Sequence, residues 1–156
     1  MDAALLGQNV GYFAPIYALA APTVTNLATV LEPVAERINR SALPRSIALP
    51  GGGLVESWSL DNQRVGRSRF YDLAIIDEAA HVEGDMAMIF DASIMPTLLD
   101  RKGAALAAST PAGIDETQWF WRICHLDELG FNRYHAPSAS NCLLARPRCA
   151  EQSAAS

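Results

Sequence analysis

The chain has 156 residues, which suffices for one domain with a substantial hydrophobic core. Half of the residues are hydrophobic, 19% are charged and the net charge is −5, so the composition argues against the basic field that dominates binding to duplex DNA. Three cysteines without a CxxC pair indicate neither a disulfide framework nor a zinc site, and the lack of a long apolar run or signal pattern predicts a soluble protein that is not secreted.

The first half of the chain predicts a strand, a helix and a hairpin. Residues 8–15 (QNVGYFAP) are rich in β-formers and predict a strand. Apolar residues at helical spacing over 24–38 predict a helix that Pro33 should kink or restart. Residues 46–61 predict two strands around a glycine turn, and the polar, Arg-rich residues 61–69 predict a surface loop.

The next region alternates between strand and helix. Residues 73–78 (LAIIDE) form a continuous apolar run of the kind that is buried on both faces of a parallel sheet. Residues 81–100 predict helical segments interrupted near Pro96. Residues 103–110 (GAALAAST) predict another apolar strand. This alternation predicts an α/β domain with a parallel sheet in three layers.

The last elements are a helix over 117–129, closed by Gly130, and a final strand over 131–138. Residues 145–156 have small and polar side chains without a period, and we expect them to be disordered. The domain therefore covers 1–144.

Four polar side chains end the two apolar strands that flank the helical region. A crossover between parallel strands is right-handed almost without exception, so both strands point the same way and their carboxyl ends share one sheet edge. Ligands of parallel α/β sheets bind at that edge. The sequence therefore predicts that Asp77 and Glu78 converge with Ser109 and Thr110 in one crevice.

Asp77 and Glu78 are adjacent, so strand alternation should turn their side chains to opposite sides. One of them can hold a hydrated Mg²⁺, which prefers carboxylate oxygens. The other can orient and deprotonate a water that attacks a phosphate, while Ser109 and Thr110 can hydrogen-bond the γ-phosphate or that water. A simpler interpretation stays open, because acids at a strand end often precede the N-terminus of a helix.

Five short segments follow one another in a specific order and spacing. They are YFAPIY (12–17), SWSLDNQRVGR (57–67), YDLAIIDEAAHV (71–82), ASTPAG (108–113) and YHAPSASN (134–141). Together they resemble the ATPase domain of the large terminase subunit of tailed phages, over roughly residues 8–144. The resemblance implies a fold of the P-loop NTPase (RecA/ASCE-like) type.

The resemblance also implies roles for the polar residues at the sheet edge. Asp77 corresponds to the Walker B ligand of Mg²⁺ and Glu78 to the catalytic glutamate that acts on ATP. Ser109, Thr110 and Pro111 correspond to the motif that couples hydrolysis to DNA movement. The implied function is translocation of double-stranded viral DNA into a procapsid by a phage or prophage motor in the host cytoplasm, with the portal protein, the small terminase subunit and a ring of copies as partners and no membrane.

One departure from the family pattern bears on activity. Such motors carry a phosphate-binding loop, GxxxxGK(S/T), before the strand that here begins near Gln8, and this sequence contains no such loop. The glycine-rich residues 51–57 lack the lysine. Lys102, the only lysine, precedes its strand and should lie at the opposite sheet edge, ~20 Å away. We therefore expect an N-terminally truncated, partial ATPase domain without a nuclease domain, inactive alone.

Arg64, Arg67 and Arg69 lie in the polar loop before the acid pair. An arginine that reaches a neighbour's nucleotide stabilises transition-state charge, so any of the three is a candidate for a trans-acting arginine, Arg64 and Arg67 in particular. A solvated loop is the simpler interpretation, and contact with the DNA backbone is a further option. His81 could cap or orient the site, with a surface role as the simpler alternative. No cysteine has an evident base partner for nucleophilic chemistry.

Two other functions stay open. DEAA and STP imitate motifs of a DEAD-type helicase, so the chain could be one RecA-like helicase lobe, although the second lobe is missing and YFAPIY has no helicase counterpart. The domain could also be a non-catalytic module, derived from an ATPase, that binds a partner subunit. Magnesium-dependent ATP hydrolysis that Glu78→Gln abolishes would distinguish an ATPase from such a module.

Overall fold

The computed structural model describes residues 2–61, 65–66, 68–127 and 130–137. Its helices are α1 (Asp2–Leu5), α2 (Tyr17–Leu31), α3 (Met86–Ile89), α4 (Met95–Leu99) and α5 (Trp119–His125). Its strands are β1 (Asn9–Ala14), β2 (Arg37–Asn39), β3 (Arg45–Ala48), β4 (Leu54–Ser59), β5 (Leu73–Ile76) and β6 (Ala104–Ala107). A π-helical segment, Phe90–Ile94, joins α3 to α4, and single 3-10 turns lie at Pro50–Gly52 and Ala79–His81.

The strands form one sheet in the order β2-β3-β4-β1-β5-β6. β4, β1, β5 and β6 run parallel, whereas β3 and β2 extend the β4 side in antiparallel orientation. The predicted α/β class and hairpin are both confirmed. The hairpin turn contains Gly51 and Gly52 at φ of 83° and 87°, a left-handed backbone that glycine adopts without steric cost. Because of this hairpin, the strands at one edge of the otherwise parallel sheet pair in antiparallel orientation.

One face of the sheet is covered by α2, which packs over β1 and β4 through Ala20, Val24, Ala28 and Leu31. The helix begins at Tyr17 and ends at Leu31, so the predicted range of 24–38 was wrong at both ends. The chain leaves the helix before Pro33, because Ile38 pairs with Ile47 across β2 and β3. Sheet pairing thus overrides the helical spacing of the apolar residues.

The opposite face carries the main core. The sheet, the helical segments and the loop before β5 contribute to it Phe13, Tyr71, Ile76, Ile89, Ile94, Leu98, Trp119 and Ile123. The predicted interruption near Pro96 takes the form of the π-helical segment, in which the Met95 amide donates to the Phe90 carbonyl. Pro96 has no amide hydrogen to donate to the preceding turn, and the wider π-helical turn directly before it is compatible with that loss. Helices on both faces confirm the three-layer prediction.

Two predicted elements differ from the structure. The last helix ends at His125 rather than continuing to Gly130. The residues 131–137 do not form a strand. A strand needs a hydrogen-bonded neighbour, whereas Phe131 packs against Trp119 and Phe90 with ring centroids 5.9 Å apart in both pairs. The predicted tail 145–156 lies outside the described residues.

No helix in the described part of the chain combines the length and apolar character needed to cross a membrane.

Candidate functional site

The carboxyl ends of β5 and β6 lie side by side and are tied together by backbone hydrogen bonds. The Ala108 amide donates to the Ile76 carbonyl over 2.9 Å, and the Ala79 amide donates to the Ala108 carbonyl over 3.1 Å. The Asp77 amide donates to the Phe13 carbonyl of β1 over 2.8 Å. The turn after β5 is therefore fixed between its two neighbouring strands, and the residues that follow β6 lie against it.

Glu78 reverses the chain at this point. Its backbone is left-handed, with φ of 50° and ψ of 42°, and the 3-10 turn Ala79–His81 follows. The His81 amide donates to the Glu78 carbonyl over 2.8 Å. Because β5 ends at Ile76, the side chains of Asp77 and Glu78 are separated by this turn rather than by strand alternation, and they contact different partners.

The Asp77 carboxylate faces β1 and α2. The Tyr12 hydroxyl donates to Asp77 Oδ2, and the Glu78 amide donates to Asp77 Oδ1 over 3.1 Å. Thr23 Oγ1 lies 3.4 Å from the same Tyr12 hydroxyl. Burial, with the hydrogen bond to Asp77 as the second cause, raises the pKa of Tyr12 to about 12. The phenol therefore remains a donor to Asp77 at neutral pH.

The Glu78 carboxylate faces the end of β6. Glu78 Oε2 accepts from Ser109 Oγ over 3.2 Å and lies 3.2 Å from His81 Nδ1. Ser109 Oγ accepts from the Ala80 amide over 3.1 Å, so the hydroxyl is held by backbone as well as by Glu78. Thr110 is exposed, and its carbonyl lies 3.0 Å from Ser109 Oγ. The structure therefore brings Ser109 to Glu78 and leaves the Thr110 side chain facing solvent.

The contacts among Ser109, His81 and Glu78 do not form a nucleophilic triad. Ser109 Oγ and Glu78 Oε2 lie 3.4 Å and 3.2 Å from the same imidazole nitrogen, Nδ1 of His81. A triad needs one ring nitrogen for the nucleophile and the other for the acid. His81 therefore orients Glu78 and does not activate Ser109.

Two contacts at the site are not predicted from the sequence. The segment YFAPIY contains Tyr12 but does not distinguish it, and the contact of Tyr12 with Asp77 depends on the β1–β5 register, in which Tyr12 pairs with Ile75 on the same face as Asp77. Gln118, which precedes α5, donates through Nε2 to the Ala80 carbonyl over 2.6 Å and so fixes the turn from the other side. The alternation of β1 could have identified Tyr12, whereas no local pattern marks Gln118.

Arg69 is committed to an internal ion pair. Its Nε lies 2.9 Å from Glu56 Oε2, and the Glu56 side chain is only 6% exposed. The Tyr71 hydroxyl donates to the same oxygen over 2.8 Å. Arg69 therefore anchors the loop to β4 instead of extending toward a neighbouring molecule. The candidates Arg64 and Arg67 lie outside the described residues.

Lys102 lies in the turn before β6, at the amino end of that strand, with φ of 50°. Asp77 and Glu78 lie at the carboxyl end of the sheet. Within one copy of the chain, Lys102 is therefore on the wrong side to contact a ligand beside the acids, as predicted.

Asp77 is suited to one kind of metal site. Among the described residues, no group of three or more His, Cys, Asp and Glu side chains is arranged to hold a metal ion. These side chains alone therefore do not provide a complete set of metal ligands. Mg²⁺ in phosphate-transfer sites is commonly bound by one or two carboxylates, with phosphates and waters as the other ligands. The half-buried Asp77 carboxylate, held from two sides, fits that role.

No protein-family model matches the sequence, and no curated protein matches it. Solved structures do match. The ATPase domain of the large terminase of Thermus phage P74-26 aligns with a TM-score of 0.54 at 23% identity, covering 88% of this chain and 59% of that domain. The large terminase of bacteriophage HK97 aligns with a TM-score of 0.62 at 20% identity, covering 88% of this chain and 32% of that protein.

A third match is the large terminase of a thermophilic bacteriophage, solved in complex with ADP, with a TM-score of 0.54 and 14% identity over 94% of this chain. The chain spans 36% of that protein. It thus spans about three fifths of the isolated ATPase domain and about one third of the complete subunits. The chain therefore has an α/β fold of the P-loop NTPase type, shared with the ATPase domains of phage large terminases.

Proposed function

We propose that this chain supplies the metal-binding and water-activating half of an ATPase related to the phage DNA-packaging motor. The observation that carries the proposal is the convergence of Asp77, Glu78 and Ser109 at the carboxyl edge of β5 and β6, where Ser109 hydrogen-bonds Glu78 over 3.2 Å. Such an edge is where parallel α/β sheets bind ligands. The fold shared with large-terminase ATPase domains, one of them solved with ADP, supports ATP as the ligand.

In this proposal Asp77 holds Mg²⁺ together with the phosphates of ATP. The metal, when bound, neutralises charge on the β- and γ-phosphates. Tyr12 and the Glu78 amide restrain the two oxygens of the Asp77 carboxylate, and each oxygen keeps a lone pair for the metal. Restraint of a ligand by hydrogen-bonded neighbours improves metal affinity. Tyr12 is therefore a positioning residue for Asp77.

Glu78 acts as the base that orients and deprotonates the attacking water. Its carboxylate is half-buried and lies between Ser109 and His81, which fix its direction. Catalysis of phosphoryl transfer depends mainly on such positioning and on charge stabilisation. Movement of Ser109 with the end of β6 would then transmit the state of the nucleotide to the rest of the chain.

The proposal requires a phosphate-binding loop from outside these 156 residues, since their sequence contains no GxxxxGK(S/T). Double-stranded DNA, a portal protein, a small terminase subunit and a ring of copies are the partners that we propose for the complete motor. With a net charge of −5, the chain is not expected to provide the main DNA-binding surface.

The test fuses a strand, a GxxxxGK(S/T) loop and a helix ahead of Met1 and measures phosphate release from ATP with and without Mg²⁺. We expect Mg²⁺-dependent hydrolysis that Glu78→Gln lowers by ~10²–10⁴-fold, the usual contribution of a positioned base. Glu83→Gln is the matched control, because Glu83 is exposed and outside the site.

Two results would contradict the assignment. Hydrolysis that survives in Glu78→Gln would remove Glu78 from the reaction. A folded fusion that neither binds nor hydrolyses Mg²⁺-ATP would favour the non-catalytic module, in which the same fold binds a partner subunit.

A further inference from the structure

The residues after β6 return to the turn after β5 and hold one residue of that turn from two sides. The Ala80 amide donates to Ser109 Oγ over 3.1 Å, and the Ala80 carbonyl accepts from Gln118 Nε2 over 2.6 Å. Ser109 follows β6 and Gln118 directly precedes α5. The loop between these two residues therefore begins and ends at Ala80.

The turn that contains Ala80 determines where the Glu78 carboxylate lies. Glu78 has φ of 50°, and a residue with a side chain keeps this left-handed backbone only where surrounding contacts enforce it. Two such contacts come from the end of β6, where the Ala79 amide donates to the Ala108 carbonyl and the Ala80 amide donates to Ser109. Gln118 adds a contact to a carbonyl of the turn. Loss of that contact would allow the turn to relax and the carboxylate to move.

Gln118 is itself held in a defined position. Its amide donates to the Asp115 carbonyl over 3.1 Å, and Asp115 Oδ1 accepts from both the amide and the hydroxyl of Thr117. The next residue, Trp119, is 8% exposed and packs against Phe90 with ring centroids 5.1 Å apart. The backbone at Gln118 is thus fixed by a turn on one side and by the core on the other, so the position of its half-buried side chain is set by the fold.

We propose that Gln118 is a positioning residue for Glu78. It acts through the Ala80 carbonyl, which it holds so that the Glu78 carboxylate stays 3.2 Å from Ser109 Oγ. The neutral amide of glutamine donates to a carbonyl without adding charge beside the carboxylate. This role rests on the proposed ATPase function, in which the direction of the base toward the attacking water decides the rate.

Native-state hydrogen exchange of the full chain tests the contact without nucleotide, metal or a fused loop. Gln118→Met keeps the length of the side chain and removes the donor. We expect the amides of Ala80 and His81 to exchange about 2–10-fold faster, the factor that corresponds to one net hydrogen bond. The amides of Gly11 and Phe13, in the central strand β1, should keep their protection. Gln118→Glu should have the same effect, since it keeps the shape and its carboxylate cannot donate.

Gln8→Met is the matched control, because Gln8 is exposed and its side chain makes no hydrogen bond within the described residues. It should leave the exchange of Ala80 and His81 unchanged. Unchanged exchange in Gln118→Met would overturn the proposed role, because the turn would then be held without Gln118. Equally accelerated exchange throughout β1 in both Gln118 variants would also overturn it, since the side chain would then stabilise the whole domain rather than the turn.

The fused ATPase described above separates positioning from binding. In that protein Gln118→Met should lower kcat by ~10–100-fold, because displacement of a catalytic group by ~1 Å has an effect of this order. The KM for ATP and the Mg²⁺ concentration for half-maximal hydrolysis should not change, since the contacts of Asp77 are kept. In a Glu78→Gln background the same substitution should have no further effect, because the two residues act as one unit.

Failure of this role and failure of the proposed function give different results. A folded wild-type fusion that does not hydrolyse ATP would overturn the function, and the role of Gln118 in the reaction with it. An active fusion in which Gln118→Met keeps the wild-type kcat would overturn the role of Gln118 alone. A further loss of rate of the same size in the Glu78→Gln background would do so too, since Gln118 would then act independently of Glu78.

Discussion

Removal of the Tyr71 hydroxyl tests the buried polar network that joins β4 to the loop before β5. That hydroxyl donates to Glu56 Oε2 over 2.8 Å and accepts from Trp58 Nε1 over 2.7 Å. Tyr71 is 1% exposed and Glu56 is 4% exposed, so water does not replace a lost donor without rearrangement. Tyr71→Phe keeps the ring, which packs edge-on against Phe13, and removes only the hydroxyl.

The expected loss of stability follows from the two groups that lose the Tyr71 hydroxyl as a hydrogen-bond partner. A hydrogen bond to a charged group contributes about 1.5–3 kcal/mol. Arg69 stays paired with Glu56 at 2.9 Å, so the carboxylate loses one of two partners rather than both. Trp58 Nε1 loses its acceptor, which costs about 1 kcal/mol in a half-buried position. We therefore expect Tyr71→Phe to lower the free energy of unfolding by about 2–4 kcal/mol.

Urea unfolding, followed by tryptophan fluorescence and far-UV circular dichroism, measures this difference, with an unchanged dependence of free energy on urea. Tyr134→Phe is the control, because Tyr134 is 94% exposed. It should change stability by less than about 0.5 kcal/mol. A similarly small loss for Tyr71→Phe would show that the network does not stabilise the fold.

Three further outcomes are expected. Gly11→Ala should cost about 1–3 kcal/mol in urea unfolding, since an added Cβ would lie 2.7 Å from the Phe13 ring and 2.9 Å from the Tyr71 ring, and an unchanged midpoint would contradict this packing. The pKa of Tyr12 is raised from 10.0 to about 12 in the folded protein. The contribution of the protonated Tyr12 to the free energy of unfolding is therefore complete below pH 10.0 and is lost as the pH rises toward 12. Unfolding free energies should therefore converge between wild type and Tyr12→Phe over that range, whereas a constant difference would refute the coupling. In the fused ATPase, Tyr12→Phe should raise the Mg²⁺ concentration for half-maximal hydrolysis about tenfold, and a loss of rate without a change in this concentration would exclude a role in positioning Asp77.

The strands near the site could be predicted because their signals are local. LAII and AALA are short apolar runs, and the handedness of a parallel crossover then places Glu78 and Ser109 at one edge. The structure brings these two residues within 3.2 Å. Topology alone thus supplied the main geometric feature of the site.

The contacts that could not be predicted depend on register and on tertiary packing. Tyr12 reaches Asp77 because β1 and β5 pair with Tyr12 beside Ile75, which no local pattern states. The helix over 24–38 was misplaced because pairing between Ile38 and Ile47 competes with helical spacing. Residues 131–137 have strand-forming side chains, yet Phe131 is held in an aromatic cluster, so composition did not decide their structure.

The left-handed backbone at Glu78 affects which amino acids are tolerated at this position. Glycine would adopt φ of 50° without the cost, roughly 1 kcal/mol, that a side chain incurs there. Glu78→Gly should therefore fold at least as well on backbone grounds while it loses the carboxylate. Folding and the proposed reaction would favour different amino acids at position 78, so retention of glutamate there would support a role beyond the stability of the turn.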